Sequence, residues 1–262
     1  MKAAERLYKV FNLLNLDVIF GAVISALYFS KLFAVEVNVF SLIALGLTVW
    51  LIYTADRLLD VKRAPANPTT ERHKFHKKNY GTLLVALIMV AVLVGISIPF
   101  LHKQVITGGF LLGAIVGFYL LLQNYLPLKE FVVAGLYTLG VLLPSWPLQT
   151  ELIAIDHLLL VGQFFTAALT NLLIFSWFEF EADQRDGHAS IATRWGKTLC
   201  AKLVILLGMV SFWIAAYLLT TSEYKLAPVI FLLMTVILIG ILFFHSYFSK
   251  YSRYRFLGDA VF

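Results

Sequence analysis

The chain has 262 residues, of which 60% are hydrophobic and only 14% are charged. In a soluble domain of this length about a quarter of the residues are charged. The composition therefore excludes an ordinary soluble globular protein. The formal net charge of +6 would suit a nucleic-acid partner. The placement of the basic residues argues against that partner, as shown below.

The apolar residues fall into eight runs, each close to the roughly 20 residues with which a helix crosses the hydrocarbon core of a bilayer. The runs cover residues 18–30, 37–55, 80–101, 105–122, 131–149, 157–178, 198–220 and 226–248. Their length, together with scattered Gly and Pro, favours helices over a β-barrel, whose strands alternate and span about 10 residues. The sequence therefore predicts an all-α polytopic membrane protein, one domain over residues 1–262 with eight transmembrane helices. A ninth, short or interfacial helix in 249–262 is left open.

The basic residues are divided very unevenly between the two sides of the membrane. With eight spans, the two ends of the sequence and the loops after the second, fourth and sixth runs lie on one side, which carries 18 of the 21 Lys and Arg residues. Cytoplasmic loops retain such residues, so this side is predicted to be cytoplasmic, facing inward from the inner membrane if the protein is bacterial. The basic excess is then a topology signal and a contact for anionic membrane lipids, and no nucleic-acid partner is expected.

The first group of carboxylates lies where the second run ends. In the stretch "YTADRLLDVKR" (53–63), Asp56 and Asp60 are four residues apart and share one face of a helix. Like charges at this spacing repel each other, and the negative end of the helix dipole adds to the cost. A hard divalent cation, usually Mg²⁺, would compensate both terms. The alternative is ordinary surface pairing with the neighbouring Arg57, Lys62 and Arg63, which contributes little to stability.

The next loop, "VKRAPANPTTERHKFHKKNYG", is strongly basic and predicts a short helix near residues 70–77. Arg side chains form paired hydrogen bonds with phosphate oxygens, so basic residues near the carboxylates are candidates to clamp a diphosphate. We expect this role for Lys62, Arg63, Arg72 and Arg185. The sequence shows no spacing typical of a transition-metal site for its histidines His73, His76 and His188.

The second group of carboxylates lies at the end of the sixth run, in "FEFEADQRDG" (178–187). Glu179 and Asp183 repeat the four-residue spacing, with further acids beside them. Four predicted helices separate the two groups, so both lie on the cytoplasmic side. We therefore expect Glu179 and Asp183 to bind Mg²⁺ jointly with the first pair and to form the catalytic group with it.

These motifs resemble those of the UbiA superfamily of intramembrane prenyltransferases. The first motif of that family, N-D-x-x-D-x-x-x-D, lies over Ile52-Tyr53-x-x-Asp56-x-x-x-Asp60 in this chain. Ile52 and Tyr53 thus replace the leading Asn-Asp, and one metal ligand of the family is missing. Tyr53 is predicted to hydrogen-bond a phosphate oxygen instead.

The second motif of the family, D-x-x-x-D followed by Gly and a small hydroxylated residue, matches Glu179-x-x-x-Asp183 with Gly187 and Ser190. The stretch "ATRWG" (192–196) resembles the segment that leads into the next helix of that family. In topology the likeness covers the whole chain, but only these loops are specific.

The resemblance implies a helical bundle around a cavity that opens to lipid, in which Mg²⁺ ions hold an isoprenyl diphosphate. It implies transfer of the prenyl group to an aromatic or lipid-like acceptor through an allylic carbocation, which requires a water-poor pocket. Asn171 and Trp177 are expected to line this cavity. An interhelical hydrogen bond is the alternative for Asn171, and a lipid-facing or packing position is the alternative for Trp177.

Two other functions stay open at this point. A membrane terpene cyclase of the same superfamily would release pyrophosphate without an acceptor, and the altered first motif supports this alternative without placing it above prenyl transfer. A secondary transporter would carry charged residues or a broken helix near the middle of the bilayer. The acidic residues instead gather at the predicted helix ends, which argues against a transporter.

Overall fold

The computed structural model describes residues 10–63, 71–123, 125–150 and 154–262. The regular structure in these ranges is helical, without a β-strand. The α-helices are α1 (Leu16–Leu32), α2 (Val39–Arg63), α3 (Glu71–Lys78), α4 (Tyr80–Ser97), α5 (Lys103–Leu122), α6 (Lys129–Leu142), α7 (Ile155–Asp186), α8 (Ile191–Trp195), α9 (Lys197–Thr221), α10 (Leu226–Phe243), α11 (His245–Phe248) and α12 (Arg253–Ala260). Short 3₁₀ turns cover Ile98–Phe100, Trp146–Leu148 and Lys250–Ser252. The all-α prediction is confirmed.

Six helices in the described part of the chain are long and apolar enough to cross a membrane, namely α2, α4 with the 3₁₀ turn that extends it, α5, α7, α9 and α10. Helix α1 has 17 residues and α6 has 14, which is at or below the lower limit for a spanning helix. The predicted count of eight or nine spans is therefore not confirmed. The short helix expected near residues 70–77 is present as α3, and a short helix in 249–262 is present as α12.

The helices form two compact units. The first contains, of the residues described, 10–63, 71–121, 140–149 and 185–187. Helix α2 packs against both α1 and α4 in this unit. Small residues allow the close approach of α1 and α2, since a Cβ atom added to Gly46 would lie 3.2 Å from Ile19 Cγ2.

Apolar side chains on α4 and α5 remain largely outside the core of the chain. Only 11% of the most apolar window of each helix is buried, and α5 exposes large residues such as Phe110, Leu111 and Phe118. A surface of this kind is stable against lipid tails but not against water. The pattern is consistent with an integral membrane protein.

The second unit is built around α7, a helix of 32 residues of which the most apolar window is 61% buried. Its core contains Leu169, Leu173 and Ile174, packed with Val204 of α9 and Leu238 of α10. The described residues of this unit are 122–123, 125–139, 150, 154–184 and 188–262. Helix α7 is roughly 48 Å long at about 1.5 Å per residue, whereas the hydrocarbon core of a bilayer is about 30 Å thick. The acidic residues in the last turns of α7 therefore lie beyond its apolar part.

Candidate functional site

Asp56, Arg57 and Asp60 form the first acidic group, in the last turns of α2. Arg57 Nη1 lies 3.5 Å from Asp60 Oδ2 and 3.9 Å from Asp56 Oδ2, so one guanidinium bridges the two carboxylates. The three side chains are between 16% and 22% exposed. Two carboxylates and one guanidinium carry a formal charge of minus one, so part of the predicted repulsion is offset within the motif itself.

Two tyrosines lie in the electrostatic neighbourhood of the first acidic group. Tyr119 of α5 interacts with Asp56, Asp60 and Arg57, and also with Tyr53, which lies one turn before Asp56 on α2. Phenolic hydroxyl groups donate hydrogen bonds to carboxylate or phosphate oxygens. Tyr53 was predicted from the sequence to act near the acids. Tyr119 was missed, because no local motif links α5 to the end of α2.

The basic residues predicted to clamp a diphosphate differ in exposure and in the contacts that they make. Lys62 is exposed, with its Nζ atom 5.8 Å from the centre of the Tyr80 ring. Arg185 is also exposed. Arg72 accepts a hydrogen bond from His76 through its backbone carbonyl. The side chain of Arg63 lies outside the described part of the structure, so the diphosphate-binding role of Arg63 stays a prediction.

Helix α3 places two histidines on its buried face. His76 is 1% exposed, and its Nδ1 atom is 2.9 Å from the Arg72 carbonyl oxygen, to which it donates in the neutral form. The pKa of His76 is lowered to about 4, mainly by burial, with a smaller contribution from the nearby charge of Arg57. His73 Nδ1 lies 3.5 Å from Asp186 Oδ2, and both side chains are buried. The sequence analysis assigned no role to this pair.

The second acidic group is Glu179 with Tyr254 and Arg255 of α12. Glu179 Oε1 accepts hydrogen bonds from Tyr254 Oη at 2.8 Å and from Arg255 Nε at 2.7 Å, and Arg255 Nη2 donates to the same oxygen. Burial by itself would lower the pKa of Arg255, but the Glu179 carboxylate outweighs this effect and raises it. Burial and the charge of Glu179 both raise the pKa of Tyr254. Glu179 is therefore paired with the guanidinium of Arg255 and the phenol of Tyr254.

Backbone and capping hydrogen bonds shape the loop that follows α7. The Asp183 carbonyl accepts a hydrogen bond from the His188 amide at 2.8 Å, across Gly187, whose φ of +76° favours glycine. Glu181 lies 3.4 Å from Lys197 Nζ at an exposed position. Ser190 caps α8 by accepting from the Thr193 amide, and the Thr193 hydroxyl accepts from the Ser190 amide in return. The Gly and Ser of the second motif thus shape the loop.

Glu130 is a buried carboxylate that no sequence motif indicated. It lies at the start of α6, is 4% exposed, and accepts a hydrogen bond from the Ile191 amide at 2.8 Å through Oε1. Ser176 Oγ accepts from the next amide, that of Ala192, at 3.2 Å. Both contacts hold the "ATRWG" segment against the core. Only the tertiary structure reveals them, because Glu130 and Ile191 are 61 positions apart.

The two residues predicted to line a cavity have different surroundings. Asn171 is 7% exposed and lies against Gly258 of α12. Trp177 packs edge-on against His245, and Lys197 Nζ lies 4.0 Å from the centre of one of its rings. Asn171 thus belongs to the interior of the second unit. Trp177 is partly exposed and makes a cation–π contact with Lys197. The predicted place of both residues in a cavity stays a prediction.

The two acidic groups differ in how well they suit Mg²⁺. Asp56 and Asp60 offer hard oxygen ligands on one helix face with a residual negative charge, so they fit such an ion. Glu179 Oε1 accepts hydrogen bonds from Arg255 and Tyr254, so a divalent cation at Glu179 would lie beside a guanidinium that already compensates its charge.

Comparison of the chain with protein-family models, with curated proteins and with solved structures found no match.

Proposed function

We propose that the chain is a UbiA-like intramembrane enzyme that uses Mg²⁺ and an isoprenyl diphosphate, and transfers the prenyl group to an aromatic or lipid-like acceptor. The observation that carries the proposal is the first acidic group. Two carboxylates share one face at the end of a spanning helix, less than a quarter exposed, with tyrosines from two helices beside them. The second motif, with Glu179 and Asp183, supports the same assignment by its sequence.

In this proposal Asp56 and Asp60 hold the metal, and Arg57 limits the repulsion between them when the metal is absent. Bound Mg²⁺ would withdraw charge from the departing pyrophosphate. Tyr53 and Tyr119 would donate hydrogen bonds to oxygens of the diphosphate and orient it. That Glu179 and Asp183 act on the same diphosphate stays a prediction, as does the diphosphate-binding role of the loop residues.

The proposed enzyme has eight spans, with α1 and α6 as short ones, and its acidic groups are cytoplasmic. The 18 basic residues on one predicted side support this orientation. Labelling of single cysteines from either side of sealed vesicles tests it. A cysteine in the loop between α1 and α2 should react from the outside, and one in the loop between α7 and α8 should react from the inside.

The activity is tested with the purified protein in lipid nanodiscs, isoprenyl diphosphates of several chain lengths and Mg²⁺. Pyrophosphate release that depends on Mg²⁺ is expected. Asp60→Asn should reduce it by about 100-fold or more, because the ion loses a charged ligand. Asp156→Asn is the matched control, since Asp156 lies in the first turn of α7 and its replacement should leave the rate unchanged.

The same assay separates the proposed transferase from the cyclase. Release of pyrophosphate only when an aromatic or lipid acceptor is added indicates transfer. Release without acceptor, accompanied by hydrocarbon or alcohol products, indicates a terpene cyclase. No release under any condition, with a folded protein, would contradict both enzyme assignments.

A further inference from the structure

Three side chains that can bind a metal come together where α7 ends. His73 of α3, Asp186 in the last turn of α7 and His188 just after it each offer one ligand atom, and these atoms all lie within 4.8 Å of one another. His73 Nδ1 lies 3.5 Å from Asp186 Oδ2. Two atoms that bind one zinc ion at about 2.0–2.1 Å in tetrahedral geometry lie about 3.3 Å apart. The first pair is therefore already spaced as two ligands of one ion.

The sequence Asp186-Gly187-His188 folds so that both of its metal-binding side chains serve one site. Gly187 has a φ of +76°, a conformation that glycine adopts without steric cost. The His188 amide donates a hydrogen bond to the Asp183 carbonyl at 2.8 Å, which is the reversal of the chain that ends many helices. This turn returns His188 to the end of α7, beside Asp186.

Helix α3 supplies the remaining ligand from its buried face. His73 and His76 are three residues apart and therefore lie on the same side of the helix. The Nδ1 atom of His76 bonds to the Arg72 carbonyl, whereas that of His73 faces Asp186. Since α3 and the end of α7 are far apart in the chain, no spacing in the sequence could indicate the group.

The group is shielded from water. The side chain of His73 is 9% exposed and that of Asp186 is 1% exposed. A carboxylate buried to this degree requires hydrogen bonds or a nearby positive charge. A metal ion held by Asp186 and two neutral imidazole rings supplies such a charge at the centre of the group.

The ligand types favour zinc over magnesium. Imidazole nitrogen suits zinc, iron, copper and nickel, whereas Mg²⁺ prefers oxygen ligands. Two histidines and one carboxylate are the protein ligands of a common class of open zinc site, in which water takes the fourth position. Iron(II) uses the same three ligand types, but a given site generally binds it more weakly than zinc.

We propose that His73, Asp186 and His188 bind one Zn²⁺ ion, which fastens α3 to the turn that ends α7 and keeps a fourth position for water. The site uses none of the residues assigned to Mg²⁺ and does not depend on the proposed function.

The test uses the full chain in lipid nanodiscs, purified through a tag without histidine and stripped of metal with a chelator. Zn²⁺ is then titrated in competition with a chromogenic chelator, and one equivalent per chain is expected to bind. His188→Gln should weaken this binding by about 100-fold or more, since even outer-shell partners of a metal contribute about 10- to 100-fold. His73→Gln and Asp186→Asn should have effects of the same size.

Two controls locate the bound ion. His102→Gln removes an exposed histidine outside the group and should bind zinc like the parent. Asp60→Asn should also keep the parent affinity for zinc, which separates this site from the first acidic group. Co²⁺ in place of Zn²⁺ should give the strong visible absorption of a site with few ligands, and the His188 variant should lose it. Fe²⁺, titrated without oxygen, should bind more weakly than Zn²⁺.

Zinc should raise the unfolding temperature of the parent and of His102→Gln, and should not raise that of the three ligand variants. The proposal is overturned if the parent takes up no stoichiometric Zn²⁺, or if folded ligand variants bind it as tightly as the parent. Tighter binding of Fe²⁺ than of Zn²⁺ would overturn the assignment of the metal. The parent measurements need no variant, so a variant that fails to fold leaves the proposal open to refutation.

Discussion

The two acidic groups are built from the same pattern, but their charges are compensated in different ways. Asp56 and Asp60 are bridged by Arg57, which lies between them on the same helix. Glu179 is paired with Arg255, 76 positions later in the chain. The first compensation is local, whereas the second depends on how α12 packs on α7. The side chains are shielded to a similar degree, 16% to 22% exposed in the first group and 13% to 19% exposed in the second. A carboxylate motif in a sequence therefore does not reveal whether its cation is a metal or a distant side chain.

The largest expected effect tests the long-range pair. Arg255→Gln removes two hydrogen bonds and the opposite charge from Glu179 and should lower the free energy of unfolding by about 1–3 kcal/mol. The double variant with Glu179→Gln should recover most of this loss, because no uncompensated carboxylate remains. Unfolding by denaturant in mixed micelles measures both. Equal losses in the single and double variants would show that Arg255 acts through packing.

A second prediction concerns the neighbour of the first acidic group. His76 has a native pKa of about 4 against an ordinary value of 6.5, so the unfolded chain binds its proton at the higher pH. The stability from neutral His76 is present above pH 6.5 and is lost as the pH falls toward 4, by at most about 3 kcal/mol. His76→Gln should remove this part of the pH dependence of unfolding. An unchanged slope between these pH values would contradict the assignment.

The contact between α12 and α7 can be tested without altering a charge. Gly258→Ala places a methyl group against Asn171 and the Phe175 ring, and should cost about 1–3 kcal/mol of stability. Gly240→Ala is the control, because a Cβ at Gly240 has no atom within 4 Å. That variant should be neutral or slightly stabilising, since alanine favours a helix. Equal behaviour of the two would mean that α12 adjusts without cost.

The smallest effect is expected at the local bridge. Arg57→Gln should change the free energy of unfolding by no more than about 1 kcal/mol, because the pairs are short-range and partly solvated. Its larger consequence should be tighter binding of Mg²⁺ at Asp56 and Asp60, measured by calorimetry. A loss comparable to that of Arg255→Gln would remove the distinction between the two groups.

Several features of the fold could be read from the sequence because they depend on neighbouring residues. Apolar runs predicted the spanning helices α2, α4, α5, α7, α9 and α10, and the charged segment after α2 predicted the short helix α3. The count of spans was not confirmed, since runs 18–30 and 131–149 form helices of only 17 and 14 residues. Composition marks an apolar run, but turn residues decide where its helix ends.

The candidate site was predictable only in part. The spacing of Asp56 and Asp60 placed them on one helix face, and Arg57 was foreseen as a competing partner. Nothing in the sequence pointed to Glu130 holding Ile191, or to Tyr119 lying near Asp56. These relations join residues that are far apart in the chain, and no periodicity records them.

By itself the sequence determined that this is a helical membrane protein with carboxylates at the ends of two long helices, because hydrophobic length and helical spacing are properties of consecutive residues. The tertiary structure alone decided that Glu179 is neutralised by Arg255 and that Asn171 lies beneath Gly258. A buried charge requires an opposite charge within a few ångströms, and only the folded chain brings the two together.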